Sequence, residues 1–157
     1  MNEIDCNIEG VEIRRLSKFT DPRGWLTELF RQDEIDDNTH PVMSYISMTK
    51  AGISRGPHEH KYQTDYICFL GISKFQIYLW DNRPGTPTLG IKYKFIADKN
   101  EIVRVKIPPG VVHAYKNIGN DEGLVFNAPD RLYAGKNHDE SVDEIRYEDS
   151  QDSKFKI

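Results

Sequence analysis

Hydrophobic and polar positions alternate with a period of two along most of this chain. Val11 to Arg14 alternates, and Val42, Ile46 and Met48 are set against Met43, Tyr45 and Ser47. Between Lys74 and Trp80, Phe75, Ile77 and Leu79 share one face. Between Glu101 and Ile107, Val103, Val105 and Ile107 share a face, with Arg104 and Lys106 on the other. That pattern, rich in β-branched and aromatic residues, predicts half-buried strands. Turn chemistry interrupts it at short intervals: Asp21-Pro22-Arg23-Gly24, Ala51-Gly52, Asp81 to Gly85, Pro108-Pro109-Gly110 and Asn120 to Gly123. Only Arg31 to Ile35 and the acidic tail after His138 could turn into helix. Many short strands joined by tight turns predict an all-β antiparallel barrel or jelly roll with little helix.

Composition narrows the class. The 157 residues, of 18.2 kDa, suit a single domain spanning 1–157. A formal charge of -4 gives nucleic acid no basic surface whose charges would neutralise phosphates. The longest apolar stretches are of strand length, too short to span a bilayer as a helix. The N-terminus, MNEIDCNIEG, is acidic and lacks the apolar core of a secretory leader. Two cysteines, Cys6 and Cys68, build neither a disulfide framework nor a zinc motif. The expected setting is the reduced cytoplasm, with no nucleic-acid or membrane partner. The Asp- and Glu-rich run from Asp139 to Asp152 reads mostly as solvated surface.

The chemistry concentrates in histidines. His58 and His60 lie two residues apart, on one face of a strand, within Gly52-x5-His58-x-His60-x4-Asp65-x5-Gly71. A second segment, Pro108-x-Gly110-x2-His113-x3-Asn117, starts a strand after a tight turn. These stretches resemble the paired motifs of the cupin superfamily, with Asp65 at the usual Glu position and Ile102 at a usual Gly. In metal-binding cupins the resemblance would make His58, His60, Asp65 and His113 ligands of one divalent ion, a donor set suited to Zn, Mn, Fe or Ni.

Five further stretches, in chain order from residue 19 to 149, resemble dTDP-4-dehydrorhamnose 3,5-epimerases, which are metal-free cupins. Phe19 to Glu28 is similar to F-x-D-x-R-G-x-x-x-E. Ile53 to His58 is similar to the Arg-Gly-Leu-His signature. Asp81 to Gly90 is similar to D-x-R-x-x-S-P-T-x-G, Ile107 to Tyr115 to I-P-x-G-x-A-H-G-F, and Glu144 to Asp149 to a terminal I-x-W-x-D. The resemblance implies epimerisation of a nucleotide-linked 4-keto-6-deoxysugar at C3, C5 or both. It makes His58 the base, Asp149 the carboxylate that orients it and Tyr133 the acid. Arg23 and Arg55 become diphosphate contacts with Glu28 nearby. It also implies a homodimer in which the first 30 or so residues pack on the partner subunit.

Departures from the family are informative. Its lysine at the C4 oxygen falls at Thr64 or Asp65 here, with Lys61 out of register, so His60 and His113 are the expected oxyanion donors. Its nucleotide-contacting Gln and Asn fall at Met43 and Tyr45. No cofactor is expected, since a ligated His58 could not accept a proton and Arg55 suits phosphate better than a second cation; one divalent ion on the four-residue set is the alternative. The His58-x-His60-Lys61 run is also similar to sugar-nucleotide 3,4-ketoisomerases, and a metal-dependent or non-catalytic sugar-binding cupin is the other alternative.

Overall fold

The computed structural model describes residues 2–157. Their strands are β1 (Asn2–Ile4), β2 (Glu12–Leu16), β3 (Phe19–Asp21), β4 (Gly24–Leu26), β5 (Tyr45–Thr49), β6 (Ser54–Glu59), β7 (Asp65–Phe69), β8 (Phe75–Asp81), β9 (Lys92–Ala97), β10 (Ile102–Ile107), β11 (Val111–Asn117), β12 (Gly123–Asn127) and β13 (Ile145–Arg146). Helix is limited to 3-10 turns at Gln32–Glu34, Asp37–Thr39 and Lys136–His138. Of the two expected helical stretches, Arg31 to Ile35 contains one such turn and the acidic tail after His138 contains none. Among the described residues no helix is long and apolar enough to cross a membrane.

Antiparallel pairing orders the strands β1-β2-β10-β7-β12-β5 in one sheet and β13-β6-β11-β8-β9 in the other. Register explains the core. Phe69 lies opposite both Val103 and Val125, so three apolar side chains from adjacent strands meet on one face. Phe75, Ile77 and Leu79 of β8 and Val111 and Tyr115 of β11 face them from the second sheet in one buried cluster. This is the all-β antiparallel architecture that the alternation predicts, and Phe75, Ile77, Leu79, Val103, Val105 and Ile107 all sit in its core.

The polar face of β10 is not solvated as alternation alone would have it. Arg104 is buried because the segment after β4 crosses that face, and its Nη1 donates to the Leu29 carbonyl. A second, smaller core lies outside the β6-β11-β8-β9 sheet, where Phe155 from the C-terminal tail packs with Trp80, Val112, Ala114 and Tyr147. Its ring lies 4.6 Å from that of Tyr147 and 5.8 Å from that of Trp80. The tail is thus anchored through aromatic burial, and it holds β13 against β6.

The Asp81 turn is structural. Its buried carboxylate takes a two-pronged contact from Arg83 at 2.8 and 2.7 Å and accepts from the hydroxyls of Thr86 and Thr88. Burial alone would raise the Asp81 pKa, but these donors outweigh it and hold the carboxyl well below the usual range. A folded-state pKa below the unfolded value of about 4 means that the stabilisation is complete above that pH and is lost progressively as pH falls from there through the folded-state pKa. Asp81→Asn should cost about 3 kcal/mol at pH 7 by leaving Arg83 without its partner. In urea unfolding the gap between wild type and variant should shrink toward pH 3. Phe155→Ala should cost a similar amount, about 3 kcal/mol by the same measurement, by emptying the outer aromatic cluster.

Candidate active site

A cleft of about 1400 Å³ opens between the two sheets. Its floor is assembled from opposite sides. On one sheet His58 of β6 and His113 of β11 are direct register partners, with ring centroids 4.3 Å apart. His60, just past the end of β6, stands 5.6 Å from His58 and 5.7 Å from His113. From the other sheet Asp65, the first residue of β7, reaches them with its Oδ2 3.1 Å from His60 Nε2 and 3.6 Å from His113 Nε2.

The Arg55-Gly56-Pro57-His58 segment takes its form from the β6–β11 contact. At Gly56, where φ is +76°, a Cβ would meet the His113 carbonyl at 2.6 Å. The register between these strands also shifts between His113 and Tyr115. Only glycine tolerates both the left-handed backbone and that approach, which brings the His58 and His113 rings together.

Each floor residue is held from behind. His60 Nδ1 donates to the Asp143 carbonyl, and His113 Nδ1 donates to the Val111 carbonyl at 3.1 Å. Asp65 Oδ1 accepts from Gln63 Nε2 at 2.9 Å and from Asn127 Nδ2 at 2.8 Å. Asn127 Nδ2 also donates to the Tyr45 hydroxyl at 2.9 Å. The Asp143 carboxylate in turn accepts from the backbone N–H groups of Lys61, Tyr62 and Gln63, which fixes the loop that carries His60.

The electrostatics separate the histidines. Burial pushes His58 down to about 2, and the flanking imidazoles of His113 and His60 add to it, so His58 is neutral at pH 7. Burial also lowers His113. For His60, burial is outweighed by the hydrogen bond and charge of Asp65, which raise its pKa. The same pair lowers Asp65 against the cost of its burial.

The other sequence-derived residues divide. Arg55 lines the cleft, but its guanidinium is turned to β5, with Nε donating to Thr49 Oγ1 at 3.0 Å and Nη2 to the Met48 carbonyl at 2.9 Å. Tyr133 also lines the cleft and is half exposed. Arg23 and Glu28 lie outside the cleft. Arg23 is on the exposed β3–β4 hairpin, paired with Asp21 at 2.5 Å, and Glu28 pairs with Arg31 at 3.2 Å.

Asp149 is not brought to His58. It is exposed, among neither the cleft-lining residues nor the hydrogen-bond partners of His58. The carboxylate that faces His58 is Glu144, with Oε1 4.0 Å from His58 Nε2. The physical reason is the register of β13. Arg146 lies opposite His58, and pairing ends at that residue, so Glu144 turns inward while Asp149 falls in the turn beyond. Asp143 and Glu144 belong to the acidic run that composition reads as solvated surface. The strand that follows them, Ile145–Arg146, is too short to stand out by periodicity.

Comparison with known proteins agrees with the fold and its motifs. The sequence profile of the family described as dTDP-4-dehydrorhamnose 3,5-epimerase matches residues 5–152. A probable low-salt glycan biosynthesis epimerase of Haloferax volcanii is 35% identical over 136 residues, covering 85% of this chain and 86% of that protein. A spore coat polysaccharide biosynthesis protein of Bacillus subtilis is 31% identical over 114 residues, covering 71% and 73%. Among solved structures, a dTDP sugar isomerase from Desulfovibrio desulfuricans superposes with a TM-score of 0.79 at 19% identity, covering 93% of this chain and 87% of that one. The dTDP-6-deoxy-D-glucose-3,5-epimerase of Legionella pneumophila, in complex with dTDP-4-keto-L-rhamnose, gives 0.78 at 20% identity, covering 92% and 76%. At such identities the structural matches carry the fold, and the profile and the two sequence relatives carry the assignment: this chain belongs to the dTDP-4-dehydrorhamnose 3,5-epimerase family of sugar-nucleotide epimerases.

Proposed function

We propose that the cleft epimerises a nucleotide-linked 4-keto-6-deoxysugar at C3, C5 or both, with His58 as the base. The observation that carries this reading is a half-buried, neutral imidazole on the floor of a cleft with room for a sugar nucleotide. The 4-keto group acidifies the hydrogens on its neighbouring carbons, because the carbanion delocalises into an enolate. His58 removes such a proton and becomes an imidazolium, which Glu144 at 4.0 Å stabilises electrostatically. Tyr133, on the cleft wall, returns a proton to the opposite face and so inverts the centre. Arg55 offers the diphosphate its guanidinium by exchanging the Thr49 and Met48 contacts for phosphate oxygens.

The substrate class rests on the family and on the dTDP-sugar bound to the Legionella enzyme. Met43 and Tyr45 both line the cleft where the family resemblance expects nucleotide contacts. Their apolar and phenolic surfaces favour stacking and van der Waals reading of the nucleotide over amide hydrogen bonds. The β3–β4 hairpin leaves Phe19, Trp25 and Leu26 more than half exposed. Covering those side chains with a second copy would give Arg23 a place at the partner's cleft and yield a homodimer.

Deuterium incorporation from D2O into a panel of nucleotide-linked 4-keto-6-deoxysugars, read by NMR, tests the reaction. Exchange at C3 or C5 is the expected result. Migration of the keto group to C3 would mean a ketoisomerase, and absence of any exchange would mean a binding protein. His58→Asn should lower the rate by roughly 10²–10⁴. Glu144→Gln should lower kcat by roughly tenfold or more and shift the acid limb of the pH–rate profile, while Asp149→Asn stays within about twofold. An inactive Asp149→Asn with a normal Glu144→Gln would reverse the two carboxylates. Light scattering at micromolar concentration should give a dimer, and Trp25→Ala with Leu26→Ala should weaken it. A fully active monomer would contradict the dimer.

A further inference from the structure

We propose that Tyr45 is a further catalytic residue, whose hydroxyl donates a hydrogen bond to the C4 oxygen of the keto sugar. The family resemblance gives that task to a lysine. The assignment rests on the epimerase reading of the cleft and adds a residue to it.

An enolate forming at C4 needs an N–H or O–H aimed at its oxygen. The two histidines expected to supply it are committed elsewhere. His60 donates through Nδ1 to the Asp143 carbonyl and sets its Nε2 3.1 Å from Asp65 Oδ2. His113 donates through Nδ1 to the Val111 carbonyl, and its Nε2 is turned to the same carboxylate oxygen at 3.6 Å. The lysine's position falls at the buried Thr64 or at Asp65, and Lys61 lies over the Tyr62 ring at 4.9 Å. Of the other tyrosines on the cleft wall, Tyr115 shares its hydroxyl with Ser47 at 3.4 Å, and Tyr62 and Tyr133 are more than half exposed.

Tyr45 differs from all of these. It opens β5 as the direct register partner of Asn127 on β12, so both side chains stand on the cleft face of their sheet. The Asn127 amide fixes what the phenol does. Its Nδ2 donates to Asp65 Oδ1 at 2.8 Å, which orients the group, because turning it over would set oxygen against carboxylate. The second hydrogen of that nitrogen goes to the Tyr45 oxygen at 2.9 Å. Tyr45 is the acceptor in this bond, and its hydroxyl makes no other among the described residues. Its own hydrogen is left for a ligand. Because one nitrogen serves both oxygens, the Tyr45 hydroxyl and Asp65 Oδ1 lie less than about 6 Å apart. The hydroxyl therefore borders the residue at the lysine's position. The ring is half exposed along the cleft wall, where it meets a nucleotide, while its tip rests on the buried Asn127.

β5 and the β6 strand that carries His58 belong to opposite sheets. A sugar held between them presents a C–H bond to His58 and the edge of its carbonyl to Tyr45. Burial pushes the Tyr45 phenol up to about 12 against the pull of the Asn127 hydrogen bond, and the charges of Asp65 and Glu144 add to the rise. A phenol so weakly acidic keeps its proton at pH 7 and acts as a neutral donor. In the step itself His58 takes the proton from C3 or C5, and the C–H electron pair moves into the C4 carbonyl as an enolate. The Tyr45 O–H bond stays intact while it donates to the oxyanion. The pair returns to carbon when Tyr133 protonates the opposite face. The Tyr133 phenolate and the His58 imidazolium then return to their resting states through solvent.

Tyr45→Phe removes the oxygen and keeps the ring. A donor at the C4 oxygen serves the enolates toward C3 and C5 alike. With dTDP-4-keto-L-rhamnose and the same substrate panel, deuterium exchange should therefore fall by roughly 10² at every carbon that the wild type exchanges, in equal proportion. The affinity for dTDP, read by calorimetry, should stay within about twofold, because the ring is retained. Tyr133→Phe should instead keep exchange while losing inversion. Placing 3-fluorotyrosine at position 45 should restore exchange to within about tenfold of wild type. Its fluorine resonance should move further on adding the keto sugar nucleotide than on adding dTDP, a reading that holds even if Tyr45→Phe folds poorly. Wild-type exchange rates in folded Tyr45→Phe would overturn the proposal. So would exchange kept with inversion lost, which would make the phenol a proton donor to carbon. A fall in dTDP affinity as large as the fall in kcat/KM, or identical fluorine shifts with both ligands, would make the hydroxyl a nucleotide contact and overturn it too. No exchange by the wild type on any substrate would remove the epimerase reading and this role together, whereas exchange that Tyr45→Phe leaves unchanged removes the role alone.

Discussion

A carboxylate at the bottom of a cleft, almost without solvent, constrains everything around it. Asp65 is 1% exposed, and an ionised carboxylate taken out of water costs several kcal/mol unless donors or a cation replace the lost hydration. Two amides satisfy one oxygen and the imidazoles of His60 and His113 surround the other. Those imidazoles must then be pinned, which takes the Val111 carbonyl within β11 and the Asp143 carbonyl from a segment about eighty residues away from His60 in the chain. The floor of the cleft and the C-terminal segment are therefore one electrostatic unit. His58 completes the contrast. Its nearest carboxylate, Glu144, stands off at 4.0 Å, and burial with the flanking imidazoles keeps His58 neutral beside a group that is strongly charged.

The C-terminal segment reaches the site only because it is held at both ends. Asp143 caps three successive N–H groups of the 61–63 loop, a set of charge-assisted hydrogen bonds. Past the short β13 pairing, the chain turns over the outer face of the second sheet, and Phe155 buries itself beside Trp80. Between these anchors the Tyr147 hydroxyl donates to the buried carboxylate of Glu59, the residue between His58 and His60 on the opposite face of β6. Strand alternation thus sends His58 and His60 into the cleft and Glu59 outward to the tail. The same few residues both shape the active face and fasten the segment that completes it.

What could be read from the sequence follows from this division. Period-two alternation located β8 and β10 to within a residue or two, because one face of each is apolar and the other is not. The His-x-His spacing and the Pro-x-Gly turn before His113 likewise survive folding, since strand geometry alone puts those rings on one side. Long-range choices were harder. Which carboxylate of the acidic tail meets His58 depends on the register of a two-residue strand, and the family pattern pointed to Asp149 where the backbone delivers Glu144. Arg104 reads as solvent-facing by alternation, yet a loop covers it. Asp143 had no local signal at all, because its role is to satisfy backbone groups in another part of the chain.

The two halves of the cleft are constrained by the backbone to different degrees, and the difference is physical. The segment that carries Arg55, Gly56 and His58 depends on the close β6–β11 contact and would fail with almost any substitution at Gly56. The floor beneath the sugar is freer, since it needs only matched donors and acceptors. Replacing a lysine-centred floor by Asp65, His60 and His113 changes the sign of the side chain at that depth from positive to negative. An enolate forming over an uncompensated carboxylate would be opposed by it across a low-dielectric gap. For a 4-keto chemistry on this floor, the positive charge that offsets Asp65 is the His60 imidazolium, whose pKa the carboxylate raises. His60 has both ring nitrogens against acceptors and has no N–H left to offer a substrate.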